Sequence, residues 1–138
     1  MEDAAKLLLG EHDFSTFSFQ SEVHHFRRTI LGVEILDLPD CPLLPGSLQC
    51  IRITANGFLR KMIRLITAAL VEVGLGLRSK EKLKLMLEAE DPTRAPHPAP
   101  SAGLYFASVQ FDPDPFSSDG LALEVLTAKA EVGHRFKP

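Results

Sequence analysis

The chain has only two cysteines, Cys41 and Cys50, with neither CxxC spacing nor a neighbour spaced as a metal ligand. That argues against a disulfide framework and a thiolate metal site, and predicts reduced, structural thiols in an intracellular setting. No apolar run approaches the ~18 residues a membrane helix needs. The opening stretch MEDAAKLLLGEHDF is acidic and lacks the charged, apolar and small-residue regions of a signal peptide. Also missing are a GxSxG nucleophile turn, a P-loop, an HExxH pair and a Gly-rich dinucleotide turn. The familiar hydrolytic and nucleotide-binding chemistries therefore have no footing here.

One absence is local and points the other way. Between Asp40 and Glu72 there is no acidic residue, while Arg52, Arg60, Lys61 and Arg64 all lie inside that window. A net charge of −3 hides this segregation. A locally basic stretch in an acidic protein is the pattern of a focused anion site; the competing reading is core with a few solvated charges. With 138 residues, 45% of them hydrophobic, the chain is long enough for one domain with a real core.

Residues 2–9 read as a short helix closed by Gly10. Phe14, Phe17 and Phe19 lie close behind it, a cluster that anchors a turn against the core or, alternatively, stacks on bases. RTILGVEILDL (28–38) and LQCIRITA (48–55) read as strands joined by a turn-rich connection, which suits antiparallel pairing. In the second, Ile51, Ile53 and Ala55 alternate with Cys50, Arg52 and Thr54, the period of a half-buried sheet. Asn56 is then placed to cap a helix running from Phe58 to Val73. One arc of that helix is apolar; the other begins with Arg60, Lys61 and Arg64 and continues with small and apolar residues, as if lining a groove. Cations in the opening turns oppose the helix dipole, so they need an anionic partner. Ser79 is positioned to cap a second, solvent-facing helix, SKEKLKLMLEAE. DPTRAPHPAP must be extended and stiff, lying along the surface; GLYFASVQF reads as a strand and LALEVLTAKAEV as a late helix before a frayed tail. Of the remaining polar residues, His24 and His25 are adjacent and cannot chelate one metal from a strand, and Asp13 is expected to cap a turn.

Four stretches carry a resemblance. AAKLLLGEHDFSTF, RTI, ITANGFLRKMIRLITAALVEVGLGLRS and DPTRAPHPAPSAGLYFASVQF, in that order over roughly residues 2–112, resemble the C-terminal half of the TruA family of tRNA pseudouridine synthases. The resemblance implies an α+β fold, an antiparallel sheet with helices packed on one face, as a pseudouridine-synthase-like C-terminal subdomain over residues 1–112. Residues 113–138 would be a C-terminal extension. It implies cofactor-free isomerisation of uridine in tRNA or other structured RNA bound in a basic cleft, and a homodimer for the complete protein. No metal is expected.

Residue by residue, Arg64 matches the arginine that pairs with the family's nucleophilic aspartate. Gly103, Leu104 and Tyr105 match the strand that lines the uracil pocket, with Leu104 against the base. Arg60 and Lys61 match positions near the RNA groove, and Arg52 belongs with them as an RNA-binding cation. The family's Arg-Thr-Asp-Ala-Gly motif has no counterpart: Arg28-Thr29 is followed by Ile30. The tyrosine that stacks on the target uracil belongs to the N-terminal half as well, and Tyr105, the only tyrosine, matches another position. The chain is therefore expected to hold half an active site, with the N-terminal half as its partner and Arg64 uncompensated until that half docks. The alternatives are a non-catalytic RNA-binding or assembly module on the same fold, and an interaction domain in which Arg64 forms only a structural ion pair.

Overall fold

The computed structural model describes residues 1–19, 25–38 and 48–111. The chain divides into two units, Met1–Leu104 and Tyr105–Pro138. In the first, helix α1 (Glu2–Ala5) runs into a 3-10 turn over Lys6–Leu8. Strands β1 (Gly10–Asp13), β2 (Arg27–Leu38) and β3 (Leu48–Ala55) form an antiparallel sheet in the order β1-β2-β3. Helices α2 (Met62–Gly74) and α3 (Lys80–Glu88) complete the layer, an α+β architecture as expected.

The alternation along β3 does what a period of two requires. Val33 pairs with Ile53 and Ile35 with Ile51, and all four pack against the core. The opposite face carries Glu34 beside Arg52, with Nη1 donating to Oε2 at 2.9 Å. A bulge between Ile30 and Gly32 leaves Leu31 without a partner and 66% exposed. β1 is an element that the sequence pattern does not signal. Its four residues, GEHD, have little strand propensity; the edge of β2 supplies the backbone partners, and Arg27 adds an ion pair to Glu11 at 3.0 Å.

The core joins Leu8, Phe14, Phe17, Ile30, Met62, Ile66, Leu70 and Leu83, all at or below 1% exposure. Phe14 and Phe17 meet edge-on at 6.4 Å between centroids. So the aromatic cluster divides: two rings anchor the turn, with Asp13 Oδ1 accepting the Ser15 amide at 2.9 Å, while Phe19 stays outside. α2 ends in a Schellman turn, Leu77 N–H donating to Glu72 O and Gly76 N–H to Val73 O, with Gly76 at φ +72° where other residues would be strained. Ser79 caps α3, its hydroxyl accepting the Lys82 amide at 3.2 Å. α3 is not purely a surface helix: it buries Leu83, Met86 and Leu87.

Three further expectations are corrected. The first helix is shorter, turning 3-10 after Ala5, and Gly10 (φ +94°) opens β1 instead of capping the helix. α2 begins at Met62, not Phe58. GLYFASVQF forms no strand: Ser101–Gly103 is a 3-10 turn, and residues 104–111 carry no regular structure. A strand needs a neighbour to satisfy its backbone groups, and none is paired to this stretch among the described residues. The late helix expected over 121–132 lies outside the described residues, as do Cys41 and His24.

The proline run is laid along the first unit as expected. Asp91 N–H donates to Thr16 Oγ1 at 2.9 Å, Ala95 packs on the core and Pro96 is buried. The Asp91 carboxylate accepts the Thr93 hydroxyl and amide and lies 3.4 Å from Arg94 Nε. Those donors hold its pKa below the ordinary 3.8. A depressed carboxylate contributes stability above its unfolded pKa and loses it as pH falls through the folded value. Between pH 5 and about pH 2, Asp91→Ala should therefore flatten the acid-side decline of the melting temperature. In the core, Ile66→Ala should cost about 2–5 kcal/mol, read from denaturant melts.

Candidate active site

The segment from Asn56 to Arg64 joins β3 to α2, and its path decides where the cations go. Asn56 does not cap the helix. Its Oδ1 accepts the Thr29 amide at 3.0 Å and its own amide donates to Thr29 O at 3.1 Å, closing the end of the sheet. The chain then makes a turn, with Met62 N–H donating to Leu59 O, and Lys61 stands as N-cap in the left-handed region at φ 62°, ψ 1°. Lys61 O accepts the first helical bond, from Leu65 N–H at 3.0 Å. Arg60 and Lys61 therefore precede the helix, and only Arg64 lies within its first turn. A non-glycine residue at positive φ costs on the order of 1 kcal/mol or more, so something must hold it. Phe19 does: its amide donates to Arg60 O at 3.2 Å and its ring centroid lies 3.7 Å below Lys61 Nζ.

Arg64 is half-buried and has a partner within this chain, against expectation. Its Nε donates to Ala99 O at 2.6 Å, and Ala99 N–H donates back to Arg64 O at 3.1 Å. The second bond is backbone to backbone; the first uses the inner edge of the guanidinium. Nη1 and Nη2 make no hydrogen bond among the described residues, leaving the planar fork available to a carboxylate.

Charge segregation survives folding. Lys6, Arg27, Arg52, Arg78, Lys84 and Arg94 each face a carboxylate. Arg28, Arg60, Lys61 and Arg64 form no ion pair among the described residues, nor do Lys80 and Lys82, which are exposed in the first turn of α3. The sequence does not mark Arg28 as part of the basic group, because it lies near the start of β2, far from the basic window. In the structure its guanidinium reaches Gly57, whose missing Cβ would sit 3.7 Å from Arg28 Nε, and Nη1 donates to the carbonyls of His25 and Arg27. Arg52 is displaced from the group: it is neutralised by Glu34 on the outer sheet face. Gly103 ends a 3-10 turn, Leu104 is half exposed, and Tyr105 opens the second unit almost fully exposed.

The first unit is thus an α+β layer in which Arg60, Lys61 and Arg64 stand without a carboxylate among the described residues around the start of α2, the last with its terminal nitrogens unengaged. The family profile described as tRNA pseudouridine synthase matches residues 4–112. The chain is 45% identical over 111 residues to tRNA pseudouridine synthase A of Thermotoga neapolitana, covering 80% of this chain and 43% of that protein. It is 40% identical over 113 residues to the Bacillus subtilis protein of the same name (81% and 43%), and 38% over 112 residues to that of Francisella tularensis subsp. novicida (80% and 41%). This chain belongs to the tRNA pseudouridine synthase family. It spans less than half the length of the curated relatives it matches.

The Arg64–Ala99 contact sets the expected cost of losing the side chain. Arg64→Met should destabilise the chain by about 1.5–3 kcal/mol, the range for a hydrogen bond to a charged group. Arg64→Lys should recover part of it. Thermal melts measure both, and unchanged stability in Arg64→Met would mean that Ala99 is held by the backbone bond alone.

Proposed function

We propose that this chain supplies the C-terminal half of a tRNA uridine-to-pseudouridine isomerase site, with residues 1–112 as the synthase unit and 113–138 as an extension. Its partner is an N-terminal half carrying the nucleophilic aspartate, the complete protein works as a homodimer, and no cofactor takes part. The observation that carries this reading is the guanidinium of Arg64, oriented through Nε by Ala99 while its terminal nitrogens stay unengaged among the described residues. A docking aspartate would find two parallel donors already aimed. The positive charge keeps that carboxylate ionised and so nucleophilic. Leu104 lies against the target uracil, with Gly103 and Tyr105 beside it, once the segment after Gly103 gains a strand to pair with. Arg60 and Lys61 take phosphates, and Arg52 is a weaker contributor that must first part from Glu34.

A second reading has its own support. No Arg-Thr-Asp-Ala-Gly stretch is present, so an RNA-binding module that keeps the fold without the chemistry fits the same cations. One experiment separates the two. The chain is incubated with tRNA transcripts containing 5-tritiated uridine, alone and with the N-terminal half of a relative that carries the aspartate. We expect no tritium release from the chain alone and release above background from the mixture, lost again with Arg64→Met. Silence in the mixture with undiminished tRNA binding would favour the module.

Replacing Arg60 and Lys61 with Gln should weaken binding about equally across RNA sequences. It should also flatten the log–log salt dependence by roughly one unit per lost phosphate contact. An unchanged slope would remove both from the RNA surface.

A further inference from the structure

Phe19 is the one ring of its cluster left outside the core. Phe14 and Phe17 are fully buried, whereas Phe19 is 63% exposed, a large apolar side chain left in water. Its backbone is nonetheless fixed, by the bond to Arg60 O, and one face of its ring lies against Lys61 Nζ at 3.7 Å. Lys61 in turn sits in a left-handed conformation that brings its ammonium back over the ring. Burial does not explain the arrangement, because neither partner is buried. It also places the ring next to cations that face no carboxylate among the described residues, Arg60 and Lys61, and one turn from Arg64.

We propose that Phe19 is a stacking platform for an unpaired nucleobase of the bound RNA, with Lys61 beneath it contacting the phosphate of the same or the adjacent nucleotide. This rests on the RNA-binding reading above and adds a residue that reading does not use. The chemistry favours a base over an apolar protein side chain. A ring backed by an ammonium is matched by a polarisable π-face carrying its own phosphate, since the stack and the ion pair then form together. Stacking on an aromatic is tolerant of base identity, so the platform contributes affinity and register but little sequence preference. Because the main chain of Phe19 is held by Arg60 O and its ring by Lys61, part of the ordering cost is met before RNA arrives.

The test exploits the different salt signatures of stacking and charge neutralisation. Anisotropy of a fluorescein-labelled, unmodified tRNA transcript is titrated with the 138-residue chain at several salt concentrations. The variants are Phe19→Leu, which keeps the apolar bulk and the backbone bond, Phe19→Tyr, which keeps the ring, and Lys61→Gln. Phe19→Leu should weaken binding roughly 5- to 100-fold with the salt slope unchanged, Phe19→Tyr should bind within about twofold of wild type, and Lys61→Gln should lose about one unit of slope. Thermal melts of each variant accompany the titrations, so that a folding defect is not read as a lost stack. If wild type binds and Phe19→Leu binds as tightly, or Phe19→Tyr fails alongside it while still folded, the platform is overturned and the RNA reading stands. If wild type shows no salt-sensitive binding to tRNA, the RNA reading falls and the platform falls with it.

Discussion

The reciprocal pairing of Arg64 with Ala99 is the constraint on which the candidate site depends. Two bonds, one from a side chain and one between backbones, tie the first turn of α2 to a proline-stiffened segment 35 residues further along. Prolines restrict the conformations of residues 92–100 before any contact forms, so few contacts are needed to hold the run in place. Thr16 at one end and Arg64 at the other suffice, with Ala95 and Pro96 packed between them. The consequence reaches the guanidinium. A free arginine samples many rotamers, but one whose Nε is fixed presents its terminal fork in a single plane. Structure and proposed chemistry thus use different edges of the same side chain, and neither blocks the other.

The placement of charge depends on the same geometry. Cations within a helix's first turn oppose its dipole, and the structure reduces that conflict by starting α2 late. Arg60 and Lys61 fall in the preceding turn, where their backbone carbonyls are used by Phe19 and Leu65; Arg60 is exposed and Lys61 lies half-exposed over the Phe19 ring. The left-handed backbone at Lys61 is the strained element of this solution, and Phe19 compensates it from both sides, through an amide and a ring. Lys6, Arg27, Arg52, Lys84 and Arg94 are engaged in exposed surface pairs. An exposed pair such as Arg52–Glu34 is worth only ~0–1 kcal/mol, little more than enough to keep those charges from competing for an anion.

Much of this is legible in the residues. β3 is readable because its two faces differ in polarity at every step, and α3 because Ser79 stands before a clear apolar period. The start of α2 is not. Leu59 and Met62 are both buried on the helix side, so the apolar period runs unbroken through a turn that is not helical, and the amphipathic pattern cannot register the difference. Asn56 misleads for a related reason: its carboxamide can cap a helix or close a sheet, and only the nearness of Thr29 decides. β1 has no propensity signal at all and exists through its partner. Arg64 is identifiable by type and position, but Ala99 is not, since a backbone carbonyl leaves no trace in a sequence. Phe19 looks identical to Phe14 and Phe17 until burial separates them.

The opposite failure, a strand read in GLYFASVQF that does not form, is the more informative. Strand propensity measures how well a side chain fits a pleated, half-buried surface, and it acts only where a neighbouring strand supplies the hydrogen bonds. Among the described residues the sheet has three strands, β3 has no neighbour on its far side, and residues 104–111 carry exposed Leu104, Tyr105, Phe106, Val109 and Phe111. A segment with strand composition but no strand, a sheet edge without a neighbour and an arginine with an unengaged fork are three separate unmet interactions. Each alone could be incidental. Together, in a chain spanning 43% of its Thermotoga neapolitana relative, they are the three kinds of contact that the proposed N-terminal half would have to complete. Apolar segments of strand composition are aggregation-prone while unpaired, so covering residues 104–111 and the free edge of β3 would also remove a liability.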